Sequence, residues 1–280
     1  MMFFKNSASK TAENWISKAR ISLQNGKALK AIKYCHRALE SEPNSHDAHS
    51  LLSRAMMPGM SYHEILTRIH RELKPATYVE IGVREGGSLS KAQEGTMALG
   101  IDPCAQIKQD ISARYKLFNM TSDQFFRDHN VFEELEQERL DLAFIDGLHI
   151  FEQALKDFIN LERYANPETI ILLHDCYPPS EIGARRKRVT DFWTGDVWKM
   201  IPCLKALRPD LKIHVIPTAP SGIGIITNAD PNSTLLQDNF AAITQKYVKL
   251  PYATLMANRD RQLNIIDNTW DTISKLIRCP

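Results

Sequence analysis

The chain has 280 residues, 43% of them hydrophobic and 24% charged, enough for one α/β domain of ordinary size plus a smaller attached piece. A formal charge of +2 gives none of the basic excess that nucleic-acid binding calls for. Five scattered cysteines (Cys35, Cys104, Cys176, Cys203 and Cys279) with no CxxC pair speak against a zinc ribbon, a disulfide scaffold or a redox dithiol, and fit a reducing compartment.

The N-terminal MMFFKNSASK turns polar too early for a signal peptide, and no 18-residue apolar run occurs anywhere. A soluble cytoplasmic protein with no membrane or nucleic-acid partner is expected. Residues 11–57 predict helices, with Ala19, Leu23, Ala28, Ile32, Cys35 and Leu39 at helical spacing and Gly26 between two of them. Trp15, Ala19, Gly26, Ala31, Ala38 and Pro43 fall in register with the 34-residue tetratricopeptide pattern. A single repeat cannot bury both of its faces, so residues 1–60 are expected to pack on the main domain or on a second subunit, as a bland appendage or as a partner-binding surface.

After Pro58-Gly59 the pattern changes. Tyr62–Leu73 reads as a helix, followed by short apolar runs at Tyr78–Gly82, Leu99–Asp102, Tyr115–Asn119, Leu140–Asp146 and Thr169–His174, separated by amphipathic helices such as Phe151–Ala165. Continuous apolar strands alternating with helices predict a parallel sheet covered on both faces. The next two runs, Ile213–Ile216 and Gly222–Thr227, are too close for a helical crossover and should pair antiparallel. The expected architecture is therefore α/β over residues 61–230: a doubly wound, mostly parallel, Rossmann-like sheet closed by an antiparallel hairpin. Residues 231–280 return to helix (Leu235–Lys246, then Asn264–Ile277) as a packing or oligomerisation extension without chemistry of its own.

The segment YVEIGVREGGSLS carries the first candidate site. A buried strand ends in Glu80-Ile81-Gly82 and runs through Gly86-Gly87-Ser88 into what should be a helix offering free N–H groups. Gly82 and Gly86 are four apart, the wrong spacing for a dinucleotide fingerprint, which disfavours a nicotinamide-dependent oxidoreductase. Glu80 would repel a pyrophosphate yet suits a ligand with a cationic amino-acid end, which S-adenosylmethionine (SAM) has and NAD lacks. Asp102 closes the next strand and is placed either to accept two ribose hydroxyls or to make a turn before Pro103. Thr121-Ser122-Asp123 follows the third strand, near the adenine position or as a helix N-cap. All three features sit at carboxyl ends of successive strands, where ligands bind in such sheets.

With Phe144-Ile145-Asp146-Gly147-Leu148-His149 after the fourth strand and His174-Asp175 after the fifth, the sequence resembles the class I SAM-dependent methyltransferases, in the branch with FIDGxH and HD motifs. The match runs from residue 78 to about 228 and includes Gly195-Asp196-Val197-Trp198-Lys199, Arg208-Pro209-Asp210-Leu211 and Ser221-Gly222-Ile223-Gly224. The resemblance implies a SAM-dependent methyltransferase whose Glu80, Gly82, Gly86 and Ser88 line the methionine end of the cofactor. It places Asp102 on the ribose, Ser122 near the adenine and Asp146 beside the cofactor.

Asp146, His149, His174 and Asp175 belong to the ends of two strands expected to be neighbours. Methyl transfer to an alcohol needs a positioned acceptor and a base for its proton, and His149 is the best base by residue type, with His174 and Asp175 in support. Its alternative is a hydrogen-bonded residue at a helix start. Related sugar and catechol O-methyltransferases hold Mg²⁺ on carboxylates at these positions. Asp146 and Asp175 match two of them, while His174 replaces the third and would favour Mn²⁺, Fe²⁺ or Zn²⁺. The alternative role for Asp175 is to fix His174 or His149 by hydrogen bonding and nothing more. The run Arg185-Arg186-Lys187-Arg188 is either solvated or a docking patch for an anionic acceptor, and Trp193 and Trp198 are either sugar platforms or core. The function expected is O-methylation of a sugar, glycan or other small hydroxylated acceptor; the alternative is a degenerate methyltransferase fold that binds a partner, or forms a homo-oligomer, through its N-terminal helices.

Overall fold

The computed structural model describes residues 2–278, without the side chains of residues 2–9; Cys279 lies outside it. Helices α1 (Met2–Gln24), α2 (Ala28–Ser41) and α3 (His46–Met56) pack together around Ile16, Ala19, Cys35, Ala38, Ala48, Leu51 and Leu52. The alanines let the helices approach closely, and Gly26 takes the positive φ (+69°) that turns α1 into α2. Helix α4 (Tyr62–Leu73) starts at a capping box, in which Glu64 accepts from the Ser61 backbone N–H and donates its own N–H to the Ser61 hydroxyl.

Seven strands among the described residues form one sheet: β1 (Thr77–Ile81), β2 (Met97–Ile101), β3 (Arg114–Phe118), β4 (Leu142–Ile145), β5 (Ile170–His174), β6 (Lys212–Ile216) and β7 (Ile223–Thr227). Their order is β3-β2-β1-β4-β5-β7-β6, with only β7 antiparallel to its neighbours β5 and β6. This is the Rossmann-like methyltransferase architecture expected from the sequence. Because side chains alternate along a strand, the sheet has two different faces. Val79, Ile81, Leu99, Ile101, Ala143 and Ile145 pack under α5 (Ser122–Asp128), α6 (Val131–Leu135), α7 (Phe151–Glu162) and α8 (Met200–Leu207). Tyr78, Ala98, Leu142, Phe144 and Leu172 pack under α4.

The expected helical crossovers are missing in two places. After Gly86-Gly87-Ser88 comes a single 3-10 turn (Leu89–Lys91), and no helix joins β2 to β3. Residues 103–111 instead lie against the glycine loop: Gln106 and Lys108 N–H donate to the Arg84 and Glu85 carbonyls, and Ile107 sits over Gly86. The free helical N–H groups proposed for this loop are therefore not there.

The C-terminal part also departs in detail. The first expected helix breaks at Asn239 into α9 (Leu235–Asp238) and α10 (Phe240–Tyr247), followed by α11 (Tyr252–Ala257) and α12 (Arg259–Leu263). The last, α13 (Trp270–Arg278), starts late because residues 264–266 pair in parallel with Val215 of β6. Ile273 and Ile277 of α13 join Ile65 and Ile69 of α4 in the second face's core.

Candidate active site

At the carboxyl edge of the sheet lies a crevice of about 720 Å³. Gly82, Asp102, Ser122, Asp146, His149 and His174 line it, so most of the expected site residues converge on one opening. Gly82 (φ +90°) is required by close packing: a Cβ there would lie 1.9 Å from the Asp146 carbonyl oxygen, where the ends of β1 and β4 are tied by Asp146 N–H to Ile81 O at 2.8 Å. Asp102 is held by two backbone donors, Arg84 N–H on Oδ2 and Cys104 N–H on Oδ1, both at 2.7 Å. It is thus both a turn residue and a wall residue, and each oxygen keeps a lone pair for a ligand.

Glu80 is a correction. Together with Gly86 and Ser88 it is absent from the crevice wall. Its carboxyl is fully buried on the α4 face, where Oε2 accepts from the Tyr78 hydroxyl and Oε1 from the Ser88 hydroxyl, both at 2.6 Å. Burial pushes its pKa up to about 8, against the pull of those two hydrogen bonds. Tyr78 and Glu80 stand two apart on a strand and so share a face.

At the end of the crevice after β3, the N-cap of α5 is Thr121, whose hydroxyl accepts from Gln124 N–H. That leaves Ser122 on the wall, its hydroxyl 3.2 Å from the Gln153 amide nitrogen. The same amide reaches Asp123 and Asp157, at 3.0 and 3.1 Å. Asp157 is buried with Oδ2 lacking a hydrogen bond, and burial raises its pKa to about 6. Gln153 and Asp157 were not foreseen, although a carboxylate on the otherwise apolar side of α7, between Ala154 and Phe158, is a readable signal.

The other end of the crevice holds the charged cluster. β4 and β5 are hydrogen-bonded neighbours, which brings Asp146 and His149 to His174 and Asp175. His174 Nδ1 lies 3.0 Å from Asp146 Oδ1, and its Nε2 lies 3.5 Å from the Ser221 hydroxyl. His149 Nδ1 donates to the Trp193 carbonyl at 3.0 Å and passes 2.9 Å from Asp175 Oδ2. The second approach is poorly aligned, and Asp175 Oδ2 counts as buried without a hydrogen bond; Asp175 acts on His149 through charge. A proton fixed on Nδ1 makes Nε2, 3.5 Å from Asp146 Oδ1, the nitrogen that accepts once the ring is neutral.

Burial works against the protonated His149, but the carboxylates of Asp175 and Asp146 outweigh it and raise its pKa to about 11. His174 is likewise raised, burial being overcome by the same two carboxylates, and Asp146 is held well below the usual carboxylate range by the two imidazoles despite its burial. Asp175 adopts a left-handed backbone (φ +60°), a region that short polar side chains such as aspartate and asparagine tolerate better than most.

Oxygens of Asp146 and Asp175 and a ring nitrogen of His149 lie within 4.8 Å of one another. With the orphaned Asp175 Oδ2 among them, these residues fit a divalent ion, and the mixed oxygen and nitrogen donors suit Mn²⁺, Fe²⁺ or Zn²⁺ better than Mg²⁺. Among the tryptophans, Trp198 is core (1% exposed), whereas half-buried Trp193 stacks on His149 with ring centroids 5.3 Å apart. Arg186 of the basic run is tied to Glu152 and Asp196. Sequence reasoning missed Tyr62, whose ring lies 4.8 Å from that of His174, and Arg84, an exposed cation on the wall.

A family model described as a methyltransferase domain matches residues 79–176. An uncharacterized protein of Acanthamoeba polyphaga mimivirus is 29% identical over 136 residues, 42% of this chain and 62% of its own length. The chain thus spans less than two thirds of that curated relative. Among solved structures, an S-adenosylhomocysteine (SAH)-bound methyltransferase of Podospora anserina is 18% identical with a TM-score of 0.44, covering 73% of this chain and 96% of its own. An O-methyltransferase of Bacillus cereus in complex with SAH is 12% identical with a TM-score of 0.42, covering 70% and 90%. The strand order β3-β2-β1-β4-β5-β7-β6 itself defines the fold.

Proposed function

We propose, from the premise that this chain carries a class I SAM-dependent methyltransferase domain, that it transfers the methyl group of SAM to a hydroxyl of a small acceptor, with a sugar or glycan as the favoured class. One observation carries the reading: Asp102 and His149 stand on the wall of the same crevice. In this pose Asp102 accepts the ribose hydroxyls, and the adenine lies by Ser122 and Gln153. The methionine end passes Gly82 with its carboxylate toward Arg84, which has no ion-pair partner among the described residues.

The acceptor oxygen attacks the sulfonium methyl carbon, and the carbon–sulfur bond breaks with its electron pair passing to sulfur, leaving SAH. The hydroxyl proton goes to His149 Nε2, with Nδ1 anchored on the Trp193 carbonyl and Asp175 compensating the charge that results. A sulfonium cation bound nearby lowers the pKa of His149 and so frees Nε2 to act as a base.

The orphaned Asp175 Oδ2 favours a second reading, in which Asp146, His149 and Asp175 hold a divalent ion. Such an ion would supply Lewis-acid activation of the acceptor hydroxyl. The free cysteines Cys35, Cys104, Cys176 and Cys203 suit a reducing, cytoplasmic setting, and no helix among the described residues is long and apolar enough to cross a membrane. The degenerate-module alternative gains no support: the crevice is open and its Asp102 is free to receive a ligand. The test is methyl transfer from labelled SAM to hydroxylated acceptors. His149→Ala should lose turnover while binding SAH as the unmodified chain does; full turnover in that variant would remove His149 from the mechanism.

A further inference from the structure

The N-terminal helices raise a question that methyl transfer leaves open, namely what a three-helix segment with its own small core does on this domain. Its contacts answer it. Asn44, just ahead of α3, accepts through Oδ1 from Asp191 N–H at 2.8 Å. His49, buried on α3, stacks on Phe192 with ring centroids 5.4 Å apart and 13° between planes, its Nδ1 3.5 Å from the Ser180 hydroxyl. One turn later on the same side of α3, Ser53 donates to the Pro220 carbonyl at 2.7 Å.

Two of the gripped residues, Phe192 and Pro220, are each next in sequence to a partner of a cluster histidine. Phe192 precedes Trp193, which stacks on His149 and accepts its Nδ1–H. Pro220 precedes Ser221, whose hydroxyl faces His174 Nε2. The first loop is also pressed on His149 itself: Asp196 N–H donates to the His149 carbonyl, and a Cβ on Gly195 would lie 1.6 Å from that oxygen. The second loop is held from the other side by Thr218 Oγ1 donating to the Met60 carbonyl and by Asn268 reaching Met60 and Pro217.

We propose that α3 is a positioning element for the catalytic end of the crevice, with Asn44, His49 and Ser53 holding the two loops that orient His149 and His174. The N-terminal segment then braces the active-site wall from behind, through loops 180–196 and 218–222, and the cofactor end, built on β1 to β3, is independent of it. The catalytic naming of that wall rests on the methyl-transfer reading; the mechanical claim does not.

The test is peptide-resolved hydrogen exchange on the full chain, with calorimetric SAH binding as a second readout. Segment 180–196 in Asn44→Ala and His49→Ala, and segment 218–222 in Ser53→Ala, should exchange about tenfold faster, while 79–84 and 100–104 stay within about twofold of the unmodified chain. SAH affinity should stay within about twofold. Asn44→Asp, which keeps the accepting oxygen, and His49→Phe, which keeps the stacked ring, should restore slow exchange. Unchanged exchange in both loops would overturn the proposal, as would faster exchange spread evenly over the sheet. Neither readout needs turnover, so a failure of the methyl-transfer reading appears separately, as unchanged exchange effects in a chain that transfers no methyl group.

Discussion

The two ends of the crevice are built by different means. The end proposed for the cofactor is made of backbone: a glycine that lets two strand ends meet, and N–H groups of Arg84 and Cys104 that aim the Asp102 carboxylate. The end proposed for catalysis is made of charge. Two carboxylates and two imidazoles sit together under loops 180–196 and 217–222, and Asp175 keeps a left-handed backbone and an unbonded oxygen there. Binding can rest on rigid, locally encoded geometry, whereas proton transfer needs groups whose affinities depend on one another and on distant segments.

That contrast is broken or sharpened by substitution at each end. The largest effect is expected at the catalytic end, where His149→Ala should lower methyl transfer about 10²- to 10⁴-fold in steady-state assays with SAH affinity unchanged. Asp175→Asn suits the left-handed backbone and should lower turnover about 10- to 100-fold. It also bears on pH. The raised His149 pKa means that the base must lose a proton, so kcat/KM should rise with pH through the alkaline range toward about 11. Removing the Asp175 charge should move that limb to lower pH. The stability that the same ion pair contributes is present below the ordinary histidine pKa and is lost as pH rises through about 11, an effect that thermal melts across pH would read.

At the cofactor end, Asp102→Ala should weaken SAH binding about 10- to 100-fold through the loss of charge-assisted hydrogen bonds. Glu80→Gln should change it least, within about threefold, because its carboxyl is sealed under the wall between Tyr78 and Ser88. The folded Glu80 pKa of about 8 is above the ordinary value. Its contribution to stability is therefore complete below about pH 4.5 and declines as pH rises to about 8, and Glu80→Gln should flatten that decline in melting experiments.

The same contrast explains what the sequence made legible. Apolar runs placed all seven strands and the closing hairpin, because a doubly covered parallel sheet demands continuous buried segments. Strand ends carried Gly82, Asp102, Asp146 and His149 to one edge, since topology alone puts them there. The missing crossover helices were illegible because residues 103–111 have no helical periodicity to lose; they are ordered by the glycine loop they cover. Glu80 was misplaced by reading the motif without the strand's two-residue period, which pairs it with Tyr78 beneath α4. Tyr62, and the grip of α3 on Phe192 and Pro220, depend on contacts between segments more than a hundred residues apart. No local pattern encodes those.

Calorimetric titration of SAH into the unmodified chain and into Asp102→Ala tests the central claim most directly. One molecule per chain at a micromolar to submillimolar Kd is expected, with the substitution weakening it at least about tenfold. No heat from the unmodified chain at millimolar SAH, or equal affinity in both proteins, would contradict the account.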